Sequence, residues 1–167
     1  MRFLEGLAVI AAIVASSRLA AMMTTSDQGL SPVWLPAAVS LAAAIWLGRR
    51  AAPAILLATG FLGWVVARDA QVGPAGTVLT AVVTAIGALL QAYTGRYLIR
   101  RFVDREGEVD SAADFFRLLT IAPVAGLISP LIGVSTQYFA GVWPPGSYFL
   151  YLGNWWFGNT VAIAFLT

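Results

Sequence analysis

Long apolar runs divided by short polar breaks dominate this sequence. Residues Phe3 to Met23 are apolar except for Glu5 near the start and Arg18 toward the end. About 21 residues rising ~1.5 Å each cover roughly 30 Å, one hydrocarbon thickness, so a first transmembrane helix is expected here. A secretory signal peptide is the rival reading, because Arg2 precedes an apolar core. Glu5 is unusual in such a leader, and Arg18 interrupts its apolar part. The polar, glycine-containing stretch Thr24 to Ser31 predicts a loop. Pro32-Val33-Trp34-Leu35-Pro36 then opens a second helix that runs to Leu47. Proline suits a first helical turn, where its missing N–H would have no partner. Trp34 and Trp46 bracket this helix as interfacial aromatics do. The Gly48-Arg49-Arg50 turn is so short that the second and third helices are expected to be antiparallel neighbours. The third helix covers Ala51 to Ala67, with Pro53 in its first turn, and Gly60 and Gly63 suit close backbone approach.

After a polar loop from Arg68 to Gly76, a fourth helix is expected from Thr77 to Arg101. It closes on AIGALLQAYTGRYLIRR, Ala85 to Arg101. An apolar run stopped by arginines is how a membrane helix ends on the cytoplasmic side. Phe102 to Ala113 is strongly charged. Ser111-Ala112-Ala113-Asp114 has the form of a capping box and starts a fifth helix, which runs to Ala140. Pro123 and Pro130 inside it predict kinks, with backbone carbonyls freed within the bundle. Trp143-Pro144-Pro145-Gly146 makes a rigid loop, and a sixth helix begins near Tyr148. The sequence is still apolar at Thr167, so residues 1–167 read as a single transmembrane domain, the N-terminal fragment of a longer protein. Arg2, Arg49, Arg50, Arg96, Arg100, Arg101, Arg105 and Arg117 fall on one side of this alternation, with only Arg18 and Arg68 toward the other. The expectation is an all-α polytopic membrane protein with about six transmembrane helices and both termini cytoplasmic.

Composition supports this class. The 167 residues are 59% hydrophobic and only 11% charged, against roughly 25% charged in a soluble domain. The runs are continuous rather than alternating, which favours helices over a barrel. All ten basic residues are arginine, an association with high-GC bacterial coding, and the net charge of +2 argues nothing about nucleic acid. Without cysteine or histidine there is no disulfide, thiol chemistry, haem ligation or usual general base. No catalytic constellation, metal site or cofactor is expected, and the acids from Asp104 to Asp110 read as a solvated loop.

Polar residues within the apolar runs are the candidate functional positions. Arg18 lies roughly 22 Å from the inner face. It either snorkels to phosphate or contacts an anion in an outward-facing pocket, near Asp27 and Arg68. Gln91 either fixes packing through an interhelical hydrogen bond or serves a pocket. Asn154 and Asn159 flank Trp155-Trp156-Phe157-Gly158, with Asn154 nearer the boundary and Asn159 deeper. Gln137 is able to face the same space. Trp34, Trp143, Trp155 and Trp156 share the outer level as an aromatic belt or as the walls of a ligand pocket.

Three motifs in order carry a family resemblance: Pro32-Val33-Trp34-Leu35-Pro36-Ala37-Ala38 followed by Gly48-Arg49-Arg50; AIGALLQAYTGRYLIRR; and Asn154-Trp155-Trp156-Phe157-Gly158-Asn159. Over Ser31 to Thr167 the chain resembles the first type of bacterial membrane-associated sensor domain, the MASE family. Two departures stand out. In the fourth helix Gly87 and Gln91-Ala92 match the family, while Ala88 and Leu89 replace its Asn and Thr. The family's Trp-Gly-Asp becomes Phe157-Gly158-Asn159, so an acid is lost. The resemblance implies a non-enzymatic sensory input domain in the bacterial inner membrane. Its partners would be the lipid bilayer and a cytoplasmic output domain in cis, a sensor histidine kinase or a cyclic di-GMP enzyme, with a homodimer or larger membrane complex left open. A small transporter or substrate-binding membrane subunit, or a structural subunit of a membrane complex, are the alternatives.

Overall fold

One helix is built inside out relative to a helix of a soluble protein. The computed structural model describes residues 2–24, 31–103 and 112–166. The helices are α1 Arg2–Met22, α2 Leu35–Leu47, α3 Ala52–Asp69, α4 Pro74–Phe102, α5 Ala112–Gly126, α6 Ile128–Phe139 and α7 Tyr148–Leu166, with a 3₁₀ turn Gly48–Ala51 between α2 and α3. Along the 29 residues of α4, the buried positions include Thr77, Thr80, Thr84, Gly87, Gln91 and Gly95. Its outer face carries Val78, Leu79, Val82, Ile86, Leu90 and Tyr97, all exposed. Small and polar side chains point in and large apolar ones point out. Water would penalise that arrangement; a bilayer does not, because lipid tails are as apolar as leucine and close packing of small residues holds the helices together.

The rest of the exterior agrees. Phe3, Trp46, Leu57, Phe139 and Phe149 are between 66% and 85% exposed. Among the described residues, four helical stretches are long and apolar enough to cross a membrane: Phe3–Met22, Leu35–Asp69, Pro74–Phe102 and Ala112–Phe139. The chain is an all-α membrane protein, and no strand occurs among its described residues.

Leu35–Asp69 folds back on itself at the 3₁₀ turn. Ser40 and Thr59 line one cavity, and Trp34 and Leu62 line another, so α2 and α3 run antiparallel. They pack on each other much less than on the helices beside them, however. Both pack on α1 and α4, whose Ile13 and Ala92 join Ala44, Ile55 and Ala58 in one buried cluster between them. The short turn dictates direction, while side chains from α1 and α4 fill the space. Gly63 brings α3 onto α4 so closely that an added Cβ would lie 3.0 Å from the Thr84 side chain.

The expected fifth helix is two helices, α5 and α6, interrupted at Leu127. It still runs as one rod along α4: Gly95 faces Ala125, Gly87 faces Ile132, and Gly76 faces Ala140. Pro123 sits inside α5 without ending it. Two other boundaries differ from expectation. α2 starts at Leu35 because the Trp34 N–H is held by the Gly158 carbonyl of α7 at 3.1 Å, which keeps Pro32 to Trp34 outside the helix. α4 starts at Pro74 rather than Thr77, since proline's fixed φ suits a first turn. The expected cap at Ser111 and the acids Asp104 to Asp110, like Asp27, lie outside the described residues. Within α5, Arg117 pairs with Asp114 at 2.8 Å.

Candidate functional site

The interruption at Leu127 leaves backbone groups that need partners in a medium that offers none. Pro130 has no N–H to give the Gly126 carbonyl, four residues earlier. That carbonyl accepts from Asn159 Nδ2 of α7 at 3.2 Å. The Ser129 N–H, at the start of α6, donates to Gln91 Oε1 of α4 at 3.2 Å. The same Gln91 oxygen accepts from Asn159 Nδ2 at 2.9 Å. These partners fix both amide orientations: Gly126 O requires a donor from Asn159, and the Ser129 N–H requires an acceptor from Gln91. Nearby, the Trp156 indole N–H donates to the Pro123 carbonyl at 2.8 Å. Gln91 and Asn159, 4% and 0% exposed, thus form a neutral clasp that joins α4, α7 and the broken rod.

Beside the clasp lies a cavity of about 20 Å³, lined by Trp34, Ser40, Thr59, Gln91, Ser129 and Asn159 among others. That is room for about one water molecule. Ser40 Oγ and Asn159 Oδ1 are buried here without a protein partner.

A larger cavity of about 210 Å³ opens at the Trp143 end of the bundle. Its walls are aromatic. Trp34 and Trp155 meet edge to face with centroids 6.1 Å apart, and Trp143 stacks on Tyr151 at 4.0 Å. Thr84, Gln137 and Gly63 contribute from α4, α6 and α3, and among the described residues none that lines it is charged. Gln137 is 1% exposed. Its Nε2 reaches Thr84 Oγ1 at 3.5 Å, while its Oε1 has no partner, nor do the indole N–H groups of Trp143 and Trp155. Asn154 donates to the Ser31 carbonyl at 3.4 Å, holding the segment before α2 against α7.

The residues singled out from sequence therefore separate into groups. Trp34, Gln137, Asn154 and Trp155 line the larger cavity, and Gln91 and Asn159 line the smaller one with Trp34. Trp156 is 39% exposed and lines neither. Arg18 is exposed, on the face of α1 away from the buried Ile13, Ser16, Ser17 and Ala20, and it is not brought to either cavity. Tyr151 and Thr84 line the larger cavity but were not singled out. Tyr151 lies three and four residues before Asn154 and Trp155, on one helical face. Thr84 belongs to the Thr77, Thr80, Thr84, Gln91 stripe of α4. Both spacings are visible in the sequence. Among the described residues no cluster of His, Cys, Asp or Glu is suited to a metal ion.

Comparison with known proteins agrees with this architecture. One family model, described as MASE1, matches residues 2–167. No curated protein and no solved structure shows significant similarity to the chain. An all-helical membrane bundle with polar groups clasped in its interior, matched over essentially its whole length, belongs to the MASE1 family of membrane-associated sensor domains.

Proposed function

We propose that this chain is the sensory input domain of a bacterial signalling protein, in which occupancy of the larger cavity is passed through the clasp to a cytoplasmic output domain in cis. That output is a histidine kinase or an enzyme that makes or degrades cyclic di-GMP. The distribution of arginines supports six passes of the inner membrane, with both termini in the cytoplasm and the larger cavity toward the outside.

One observation carries the reading: Trp34 lines both cavities. Its N–H is bonded to the Gly158 carbonyl, one residue from Asn159. A ligand that prefers one placement of the Trp34 ring shifts the population of bundle packings by its differential affinity. Movement at Trp34 pulls on Gly158 and Asn159, and Asn159 holds the broken rod. The cytoplasmic end of α7 then delivers the change. The interruption at Leu127 supplies the element able to take two packings, since Gly126 and Ser129 are tied by side chains rather than by helix hydrogen bonds.

The interruption also favours a transporter reading, because broken helices line many transport sites. Here, though, Asn159 and Gln91 already occupy the Gly126 carbonyl and the Ser129 N–H.

The test uses the full-length protein in its membrane, with output activity as the readout. Asn159→Ala and Trp34→Phe, in variants that retain wild-type expression and helicity, are expected to shift basal output or the response to stimulus. Unchanged output and response in both would sink the proposal.

A further inference from the structure

At the turn between α2 and α3, a half-buried cation has donors that the protein does not use. Arg96 of α4 lays its guanidinium against the backbone of this turn: a Cβ added at Gly48 would lie 3.3 Å from one of its terminal nitrogens. Gly48 has φ 60°, a conformation that favours glycine, so bare backbone faces the planar group. The nearby carbonyls are served by other donors, Gly48 by the Tyr93 hydroxyl at 2.7 Å and Ile45 by Arg100 at 3.2 Å. Among the described residues no carboxylate pairs with Arg96 or Arg49; Arg117 and Asp114 pair with each other. Arg49 is exposed in the same turn, and its charge and that of Arg96 both reach the Tyr93 hydroxyl. Two like charges held this near each other repel until an anion joins them. A guanidinium offers parallel N–H groups in a fixed fork, which matches the oxygens of a phosphate two at a time.

The depth of the turn says where that phosphate comes from. The spanning stretch Leu35–Asp69 reverses here. Trp46 and Tyr97, neighbours in sequence of the turn and of Arg96, are 82% and 65% exposed, as aromatics at a membrane surface are. At that level the abundant anions are lipid headgroups.

We infer that Gly48, Arg49 and Arg96 form a binding site for the headgroup of one anionic phospholipid. The phosphate oxygens accept from the Arg96 fork, Arg49 adds the second positive charge, and the acyl chains join the surrounding bilayer. The site stands apart from the sensory reading, since it holds whether or not either cavity takes a ligand. Its occupation ties α4 to the far end of the helix that Trp34 opens.

The test strips the full-length protein of lipid in a neutral maltoside detergent. It is then titrated with dioctanoyl phosphatidylglycerol, dioctanoyl phosphatidylcholine or inorganic phosphate. Native mass spectrometry counts the bound lipids, and thermal stabilisation gives the affinities. Saturable stabilisation by a single retained phosphatidylglycerol is expected, with phosphatidylcholine about tenfold weaker. Inorganic phosphate at the same concentration should neither stabilise the protein nor displace the lipid. Arg96→Gln should lower phosphatidylglycerol affinity at least about tenfold, the worth of one charge-assisted hydrogen bond. Arg96→Lys, which keeps the charge and loses the fork, should recover only part of that loss. Arg101, whose guanidinium lies over the Phe102 ring, is the control at the same end: Arg101→Gln should change affinity less than about threefold. If Arg96→Gln does not fold, Arg49→Gln should show a loss of about threefold to tenfold. Equal losses in the Arg96 or Arg49 variant and in Arg101→Gln would mean diffuse attraction to the arginine-rich end and overturn the inference. So would equal binding of the two lipids, displacement by inorganic phosphate, or the absence of saturable binding.

Discussion

At two of the places where helical regularity is lost in this bundle, α4 supplies partners by different chemistry. At the arginine-rich end, where α2 turns into α3, the Gly48 carbonyl accepts from the Tyr93 hydroxyl at 2.7 Å and the Ile45 carbonyl accepts from an Arg100 guanidinium nitrogen at 3.2 Å. In the interior, at Leu127, the freed groups are met by Gln91 and Asn159. A phenol and a guanidinium serve where their polar ends can reach water, and neutral amides serve where water is excluded. The difference shows that depth, rather than the type of break, selects the capping residue. It also divides strength from responsiveness: the end turn has bulk solvent as a substitute partner, whereas the interior clasp has at most the single water its side cavity can hold, and so couples three helices.

The sharpest way to break this contrast is to put a charge in the clasp. Asn159→Asp replaces a two-bond donor with a carboxyl that can donate only when protonated. A carboxyl there has fewer donors than the amide for the Gly126 carbonyl and Gln91 Oε1, and when ionised it is a buried charge without a counter-ion among the described residues, so equilibrium unfolding in bicelles should show a loss of about 3–5 kcal/mol. A loss below about 1 kcal/mol would mean that the interior is wet.

Gln91→Leu comes next. It strands the Ser129 N–H and removes one acceptor from Asn159, and should destabilise by about 2–3 kcal/mol in the same unfolding measurement. Pro130→Ala sharpens the point. It restores an N–H for the Gly126 carbonyl, so Asn159→Leu should cost roughly 1 kcal/mol less on that background than alone. Simple additivity would remove Pro130 from the account. Tyr93→Phe, at the end turn, should cost about 0.5–1.5 kcal/mol, because water can reach Gly48. Arg100→Gln should stay within about 0.5 kcal/mol. An end-turn loss as large as that of Gln91→Leu would erase the distinction between the two breaks.

Much of the bundle was legible as apolar length. Runs such as Phe3 to Met23 and Thr77 to Arg101 match α1 and α4 within a few residues, because span length is a one-dimensional constraint. Pro123 and Pro130 announced disturbance in the fifth rod, and Gln91 and Asn159 announced buried polarity. Their connection was hidden, because it depends on which backbone groups are freed. Pro123 passes through α5, while Pro130 leaves the Gly126 carbonyl for a side chain 33 residues away. Trp34, Gln137, Asn154 and Trp155 meet in one cavity only because α7 reaches back to the start of α2, a pairing that hydropathy does not encode. Arg18 shows the opposite limit. Its depth drew it into the expected site, but rotation about the helix axis decides its neighbours, and the buried face of α1 runs through Ile13, Ser16, Ser17 and Ala20 instead.

The inverted stripe of α4 has a consequence for how the chain comes to exist. A helix whose large apolar residues mostly face outward, Ile99 apart, is content in lipid before it meets any neighbour, so insertion and assembly are separate events. At Gly87, an added Cβ would lie 3.3 Å from the Ile132 side chain. A substitution there should pass unnoticed through synthesis and membrane entry and be felt only when the helices dock. Such chains would collect as inserted but unassembled helices, visible to membrane proteases rather than to the chaperones that watch the cytoplasm.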